Sequence, residues 1–383
     1  MAFLQSLFKR ANAASAAEML VDDKVYVASQ WQLMWWKFRK HKLAIAAALV
    51  VFALYLVALL AEPLAAYNPE AQDARHAYRP PTPVRFVDAE GKAYLRPFVY
   101  GTKQKRDLET LALVYTDDTS KLYPIHFFVK GYPYKLWSFI PGEIHLFGVE
   151  DPGRVFLFGA DAQGRDLFSR VVYGTRLSMT IGLVGVTLSF VLGILLGGVS
   201  GYYGGTIDMI IQRVIEFLRS MPTIPLWMGL SAALPANWPP VRMYFGITII
   251  LSLIGWTSLA RVVRGRFLSL REEDFVMAGK VAGSSERTII LKHMVPAMMS
   301  YIIAALTLAV PEMILSETAL SFLGLGLRYP AISWGVLLQD AQNIRAVATA
   351  PWLLVPGAAV VLAVLSLNFL GDGLRDAADP YGR

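Results

Sequence analysis

Two carboxylates, Glu312 and Glu317, stand in an otherwise apolar run, with Pro311 beside the first. An ionised side chain at membrane depth is expensive and is retained where it meets protein or a watery cavity. A proline-kinked helix can therefore present such a carboxylate as a gate, an interface contact or one step of a proton relay. A relay needs several of these groups facing one another, and the apolar runs at 43–61 and 177–200 offer none, which favours gate or interface. Arg219 is the third candidate for that role, and Glu216, three residues earlier, can pair with it along one helix face.

Nothing else assembles into a familiar catalytic centre. His41, His76, His126, His145 and His293 are scattered without ligand spacing, so no metal site is expected. The absence of Cys removes disulfides, thiol nucleophiles and thiolate-bound metals. There is no G-x-x-x-x-G-K-[ST] phosphate loop, no H-E-x-x-H and no G-x-S-x-G. The chain is not expected to be an enzyme or to bind a cofactor itself.

A polar, basic insert from Asp274 to Pro296 separates two long apolar runs. Its 269–282 portion can form a short amphipathic helix with Phe275, Ala278, Val281 and Ala282 near one stripe, away from Glu272, Glu273 and Lys280. Gly283-Ser284-Ser285 breaks that helix, and Ser285 can cap a second one over 286–293. Two short helices meeting at a glycine make a compact docking knob; a helix lying on lipid would share the pattern.

The elements that must carry these residues are membrane helices. The 383 residues are 55% apolar and only 17% charged, against roughly 25% in soluble domains. The net charge of +7 sits beside the apolar runs rather than in a long stripe, which fits an anionic lipid surface and not nucleic acid. Runs of about 20 apolar residues give six candidate spans near 43–61, 177–200, 209–234, 243–264, 296–318 and 352–371. The third carries Arg213, Glu216 and Arg219 and is interrupted by Pro222 and Pro225, so a broken or tilted helix is expected there. The first run begins near Leu43, too far in and too long for a cleaved signal, and should stay in the membrane.

Lys37, Arg39, Lys40 and Lys42 before the first span, and Arg261, Arg264, Arg266, Arg271, Lys280, Arg287 and Lys292 between the fourth and fifth, place both segments and both termini in the cytoplasm. The long 62–176 segment then falls outside. Strand-like patches at 84–88, 94–100 and 111–115, with turn signals at Asp88-Ala89-Glu90-Gly91 and Asp117-Asp118, predict a small β-containing domain there. Gly193, Gly197, Gly201 and Gly205 recur every four residues, a ridge for close helix packing or for lining a moving pathway.

Several motifs resemble one family. Met277-Ala278-Gly279, followed by Gly283 and then His293-Met294-Val295-Pro296, is similar to the cytoplasmic EAA loop of ABC importer permeases, with Met277 in place of the usual Glu and Gly279 in place of the second Ala. Gly159-Ala160-Asp161-Ala162-Gln163-Gly164-Arg165-Asp166-Leu167-Phe168-Ser169-Arg170, Glu317-Thr318-Ala319-Leu320-Ser321-Phe322-Leu323-Gly324-Leu325-Gly326 and Asn368-Phe369-Leu370-Gly371-Asp372-Gly373-Leu374-Arg375-Asp376-Ala377-Ala378-Asp379-Pro380 resemble the C-type subunits of dipeptide and oligopeptide permeases. The enlarged 62–158 region looks more like the subunit of microcin C and oligopeptide importers.

The resemblance implies an all-α polytopic fold of six transmembrane helices, the type I ABC importer permease fold, with a β-containing periplasmic insert between helices 1 and 2. It divides the chain into a cytoplasmic tail (1–42), a first span (43–61), the insert (62–176), a five-helix core (177–371) with a coupling loop at 265–295, and a cytoplasmic tail (372–383). Asp274, Phe275, Met277, Ala278, Gly279, Gly283, Ser284, His293 and Pro296 would meet an ABC ATPase subunit, which would carry the ATP and Mg. A second homologous permease subunit would complete a heterodimer, and a periplasmic binding protein would deliver peptide at the bacterial inner membrane. The competing readings are an ion- or proton-coupled secondary carrier, which would need paired carboxylates and internal repeats, and a membrane assembly protein without transport.

Overall fold

The structure, a computed structural model, describes residues 29–106, 113–235 and 237–378. Residues 1–28 of the N-terminal tail, Leu111 and Ala112 of the third strand patch, and Asp379 and Pro380 of the tail motif lie outside the described residues. A short helix α1 (Gln30–Phe38) opens on a capping box in which Ser29 and Gln32 satisfy each other's backbone N–H groups. The apolar helix α2 (Lys42–Leu59) follows, its first turn capped by His41 Nδ1, which accepts from the Ala44 N–H at 3.1 Å.

Between α2 and the next long helix the described residues form five strands. β1 (Arg85–Val87), β2 (Ala93–Arg106) and β3 (Leu113–Pro124) make an antiparallel sheet in that order, and β4 (His126–Leu136) pairs with β5 (Ile140–Gly148) as a separate hairpin. The Asp88 turn is present, with its carboxylate accepting from the Glu90 and Lys92 N–H groups. Asp117-Asp118, expected as a turn, lies inside β3 instead. The local chemistry is that of a turn, since Asp118 accepts from the Ser120 N–H and hydroxyl, but the sheet absorbs it as a register shift beside Gly101 and the strand continues. Lys103 on the facing strand reaches Asp118 at 2.8 Å.

This region is tied to the helices. Trp137 Nε1 donates to the Leu59 carbonyl at the end of α2, and the buried His145 ring contacts the Ala65 and Tyr132 carbonyls. Arg176 Nη1 donates to Glu62 Oε1 at 2.6 Å and Arg176 Nε to the Ala58 carbonyl, locking α2 to the helix that carries Arg176. That helix, α3 (Leu167–Tyr203), starts well before the apolar run at 177 because Asp166 caps it, accepting from the Ser169 N–H at 2.8 Å and hydroxyl at 2.6 Å. Just upstream, Asp161 accepts from the Arg165 N–H and Nε and lies 3.4 Å from Arg170 Nη1, a buried cluster of one carboxylate and two guanidinium groups.

The chain continues through α4 (Gly205–Ser220), α5 (Thr223–Ala232), α6 (Pro240–Leu270), α7 (Asp274–Val281), α8 (Met299–Phe322) and α9 (Val355–Ala378). Among the described residues, five helical stretches are long and apolar enough to cross a membrane: Lys42–Leu59, Leu167–Tyr203, Pro240–Leu270, Tyr301–Phe322 and Pro351–Ala378. The 209–234 run is not one of them. It divides at Met221-Pro222, where Met221 is extended (ψ 138°) as a residue before proline must be, and the 10 residues of α5 rise only about 15 Å against a hydrocarbon core of roughly 30 Å. The main core lies among α3, α6, α8 and α9 around the fully buried Trp334, whose indole N–H donates to the Val171 carbonyl and whose backbone N–H donates to Ser178 Oγ.

Candidate functional site

The knob is built by local rules. α6 runs on to Leu270, so the expected helix over 269–282 begins instead at Asp274 after a turn at Arg271-Glu272-Glu273. It ends in a Schellman motif: the Ser284 N–H donates to the Gly279 carbonyl and the Gly283 N–H to the Lys280 carbonyl, with Gly283 at φ +75°. That left-handed position is the physical reason for glycine there. Ser285 then caps a turn at Glu286–Thr288, accepting from the Thr288 N–H, and the ladder widens over Ile289–Met294, where the Val295 N–H donates to the Ile290 carbonyl five residues back. Pro296, which has no N–H to offer, follows at once, and the chain enters α8.

The apolar residues of the knob divide into two sets. Val276, Ile289 and Met294 are buried with Val263 and Phe267 of α6, Phe190 of α3 and Ile302 of α8, so the knob is rooted in three long helices. Tyr203 at the end of α3 adds a hydrogen bond to Glu286 Oε2 at 2.8 Å. Phe275, Met277, Val281 (88% exposed) and Leu291 (64% exposed) face outward. The predicted stripe of Phe275, Ala278, Val281 and Ala282 is therefore the exposed face, and Val276, outside that stripe, is the anchor. Asp274, Gly283, His293 and Pro296 are also exposed, while Gly279 and Ser284 are half-buried.

Gly193, Gly197 and Gly201 line the crossing of α3 with α6. A Cβ on Gly197 would sit 2.5 Å from the Ala260 carbonyl oxygen, and one on Gly201 would sit 2.6 Å from that of Arg264. Gly205 does not share this face: α3 ends at Tyr203, Gly205 has φ +56°, and nothing lies within 4 Å of where its Cβ would be. The four-residue spacing carries over into a turn that redirects the chain. Asp208 clamps that corner, accepting from Arg264 Nη2 at 2.6 Å.

Arg219 does not pair with Glu216. Glu216 is taken by Arg213 at 2.8 Å, and Arg219 Nη1 donates to Ser258 Oγ on α6. Arg213, Glu216 and Arg219 all lie on α4, but Arg219 is in its last turn and turns toward α6. Glu317 is fully buried, its Oε1 accepting from the Ser321 and Ser333 hydroxyls at 2.8 Å each. Glu312, one turn earlier, is exposed and lines a cavity of about 460 Å³ with Arg219, Ser258, Trp227, Tyr301 and Ser316. The two carboxylates singled out together thus occupy different settings. Sequence reading missed Ser258 and Trp227, which carry no local signal, and the Asp208 to Arg264 clamp, whose partners stand far apart in the chain.

Residues 190–381 match the family described as the binding-protein-dependent transport system inner membrane component, and residues 29–81 match the N-terminal transmembrane domain of oligopeptide transport permease C. The dipeptide transport system permease protein DppC of Alkalihalophilus pseudofirmus is 39% identical over 241 residues, 63% of this chain and 73% of the relative. The oligopeptide transport system permease protein OppC of Haemophilus influenzae is 42% identical over 220 residues, 57% of this chain and 68% of the relative. OppC of Bacillus subtilis is 36% identical over 241 residues, 63% and 73% of the two chains. Among solved structures, the inward-facing MetNI methionine ABC transporter aligns over 56% of this chain and 98% of its own, at 17% identity and a TM-score of 0.45.

Proposed function

The chain belongs to the binding-protein-dependent transport inner membrane components and is a multi-pass membrane subunit of a peptide importer, and from that premise we propose how it works. It forms half of the translocation pathway, and a second homologous permease subunit forms the other half. Six crossings put both termini in the cytoplasm of a bacterial cell, with the broken α4 and α5 together making the third. The sheet-bearing 62–176 segment lies on the periplasmic side, where a binding protein delivers peptide. The knob seats in a groove of a separate ATPase subunit that holds ATP and Mg.

The observation that carries this reading is the two-sided knob. Its outer face offers Phe275, Met277, Val281 and Leu291 to a partner, while Val276, Ile289 and Met294 root it in α3, α6 and α8. Close-packed interiors transmit displacement, so a push on the outer face moves the helices as a body. Gly193, Gly197 and Gly201 keep α3 and α6 together as one rocking unit. Replacing Gly283 by Arg tests the docking: the Schellman turn is strained and a long cation is set into the contact. Loss of ATP-driven uptake with normal membrane insertion is expected, and unimpaired uptake would overturn the docking role.

A further inference from the structure

The cavity shared by Arg219 and Glu312 holds two opposite charges that form no ion pair among the described residues. Among the described residues the Glu312 carboxylate has no hydrogen bond or ion pair, and no ion pair joins it to Arg219, whose one hydrogen-bond partner is the neutral Ser258 hydroxyl. Charges left unpaired beside apolar membrane helices are costly and persist where they face water or a ligand. Trp227 lines the same cavity with a buried indole N–H that has no partner among the described residues, and Ser316 and Tyr301 add hydroxyl and aromatic surface. Pro311 stands immediately before Glu312 within α8 and removes a backbone donor from the helix at that point.

We propose that this cavity is a transit site for the two ends of a zwitterionic peptide, with Glu312 holding the ammonium and Arg219 the carboxylate. Its volume of about 460 Å³ lies within the roughly 300–1,000 Å³ usual for small-ligand sites. Charges for the termini and a largely apolar, aromatic wall for the remainder read what all short peptides share and leave their side chains unread. The proposal rests on the importer reading above and names the group recognised along its pathway.

The natural absence of Cys supplies the test. Ser316→Cys, and Ala309→Cys as a second reporter on the same wall, each place one thiol in the cavity. The assembled importer, without binding protein, is alkylated by a small water-soluble maleimide and the label on this chain is read by mass spectrometry. Millimolar Ala-Phe is expected to slow labelling about ten-fold, its N-acetylated and C-amidated form to leave the rate within two-fold, and Glu312→Gln to abolish the protection. Equal protection by the doubly blocked peptide, or none by the free one at either reporter, overturns the site. Uptake by the unsubstituted complex is measured alongside: no ATP-driven uptake of any peptide sinks the importer reading itself, whereas normal uptake without protection sinks this site alone.

Discussion

Replacing Gly197 by alanine sets a methyl group 2.5 Å from the carbonyl oxygen and 2.8 Å from the Cα of Ala260, both main-chain atoms of α6. No side-chain rotation can relieve such a contact, so α3 and α6 must part by about 1 Å there to restore ordinary van der Waals distance, loosening the neighbouring Gly193 and Gly201 contacts as well. Overpacking of this kind costs roughly 1–3 kcal/mol, offset in part by the ~0.5–1 kcal/mol that alanine gains over glycine within a helix. Gly265, also within α6, has nothing within 4 Å of its Cβ position and is exposed. There only the propensity term acts, so Gly265→Ala should stabilise slightly. The two variants should differ by about 2 kcal/mol, more than ten-fold in the unfolding equilibrium. Unfolding in mixed micelles at rising dodecyl sulfate, followed by circular dichroism, measures that difference. A Gly197→Ala chain as stable as Gly265→Ala would refute the close-approach argument.

Val281→Lys, on the exposed face of the knob, should leave stability within about 0.5 kcal/mol while reducing co-purification of the ATPase subunit; buried Val276→Ala should instead cost about 1–3 kcal/mol, read by the same unfolding assay. Glu317→Ala deprives the buried Ser321 and Ser333 hydroxyls of their shared acceptor and should destabilise by roughly 1–3 kcal/mol, with Glu317→Gln milder because an amide oxygen still accepts; thermal melting of the pair decides it. Asp161→Asn strips counter-charge from buried Arg165 and Arg170 and should cost roughly 3–5 kcal/mol, visible as faster proteolysis of the 62–166 region. Burial pushes the Asp166 carboxyl up from 3.8 to about 6. A raised folded value means that its stabilising contribution is complete below about pH 4 and is lost as pH rises through 6, so the stability difference between Asp166→Asn and the unsubstituted chain should change across that window and be flat above pH 7.

Short-range rules made much of this molecule legible. Gly283 and Ser285 mark the break and the cap of the knob because a left-handed turn and an orphan helix N–H are local demands. The proline break at Met221-Pro222 and the Asp88 turn are equally local. The turn signal at Asp117-Asp118 identified real turn chemistry, and the cross-strand partner decided that it would be a bulge. The β4 and β5 hairpin went unread because its residues alternate weakly, and the contacts that seat it, with the Ala65 and Leu59 carbonyls, lie far along the chain.

By itself the sequence determined that the chain enters the membrane, where it breaks and turns, and which family it resembles, since apolar length, proline, glycine and caps act within a few residues of themselves. Only the tertiary structure decided that Val276 anchors the knob while the predicted stripe faces out, that Gly205 leaves the packed ridge, and that Arg219 turns to Ser258 and shares a cavity with Glu312. The reason is physical. Lipid and protein interior are equally apolar, so hydrophobic pattern separates membrane from water but cannot tell a lipid-facing side chain from one packed on a helix. That distinction is made by the shape of the neighbouring helix and by charges brought together from distant parts of the chain.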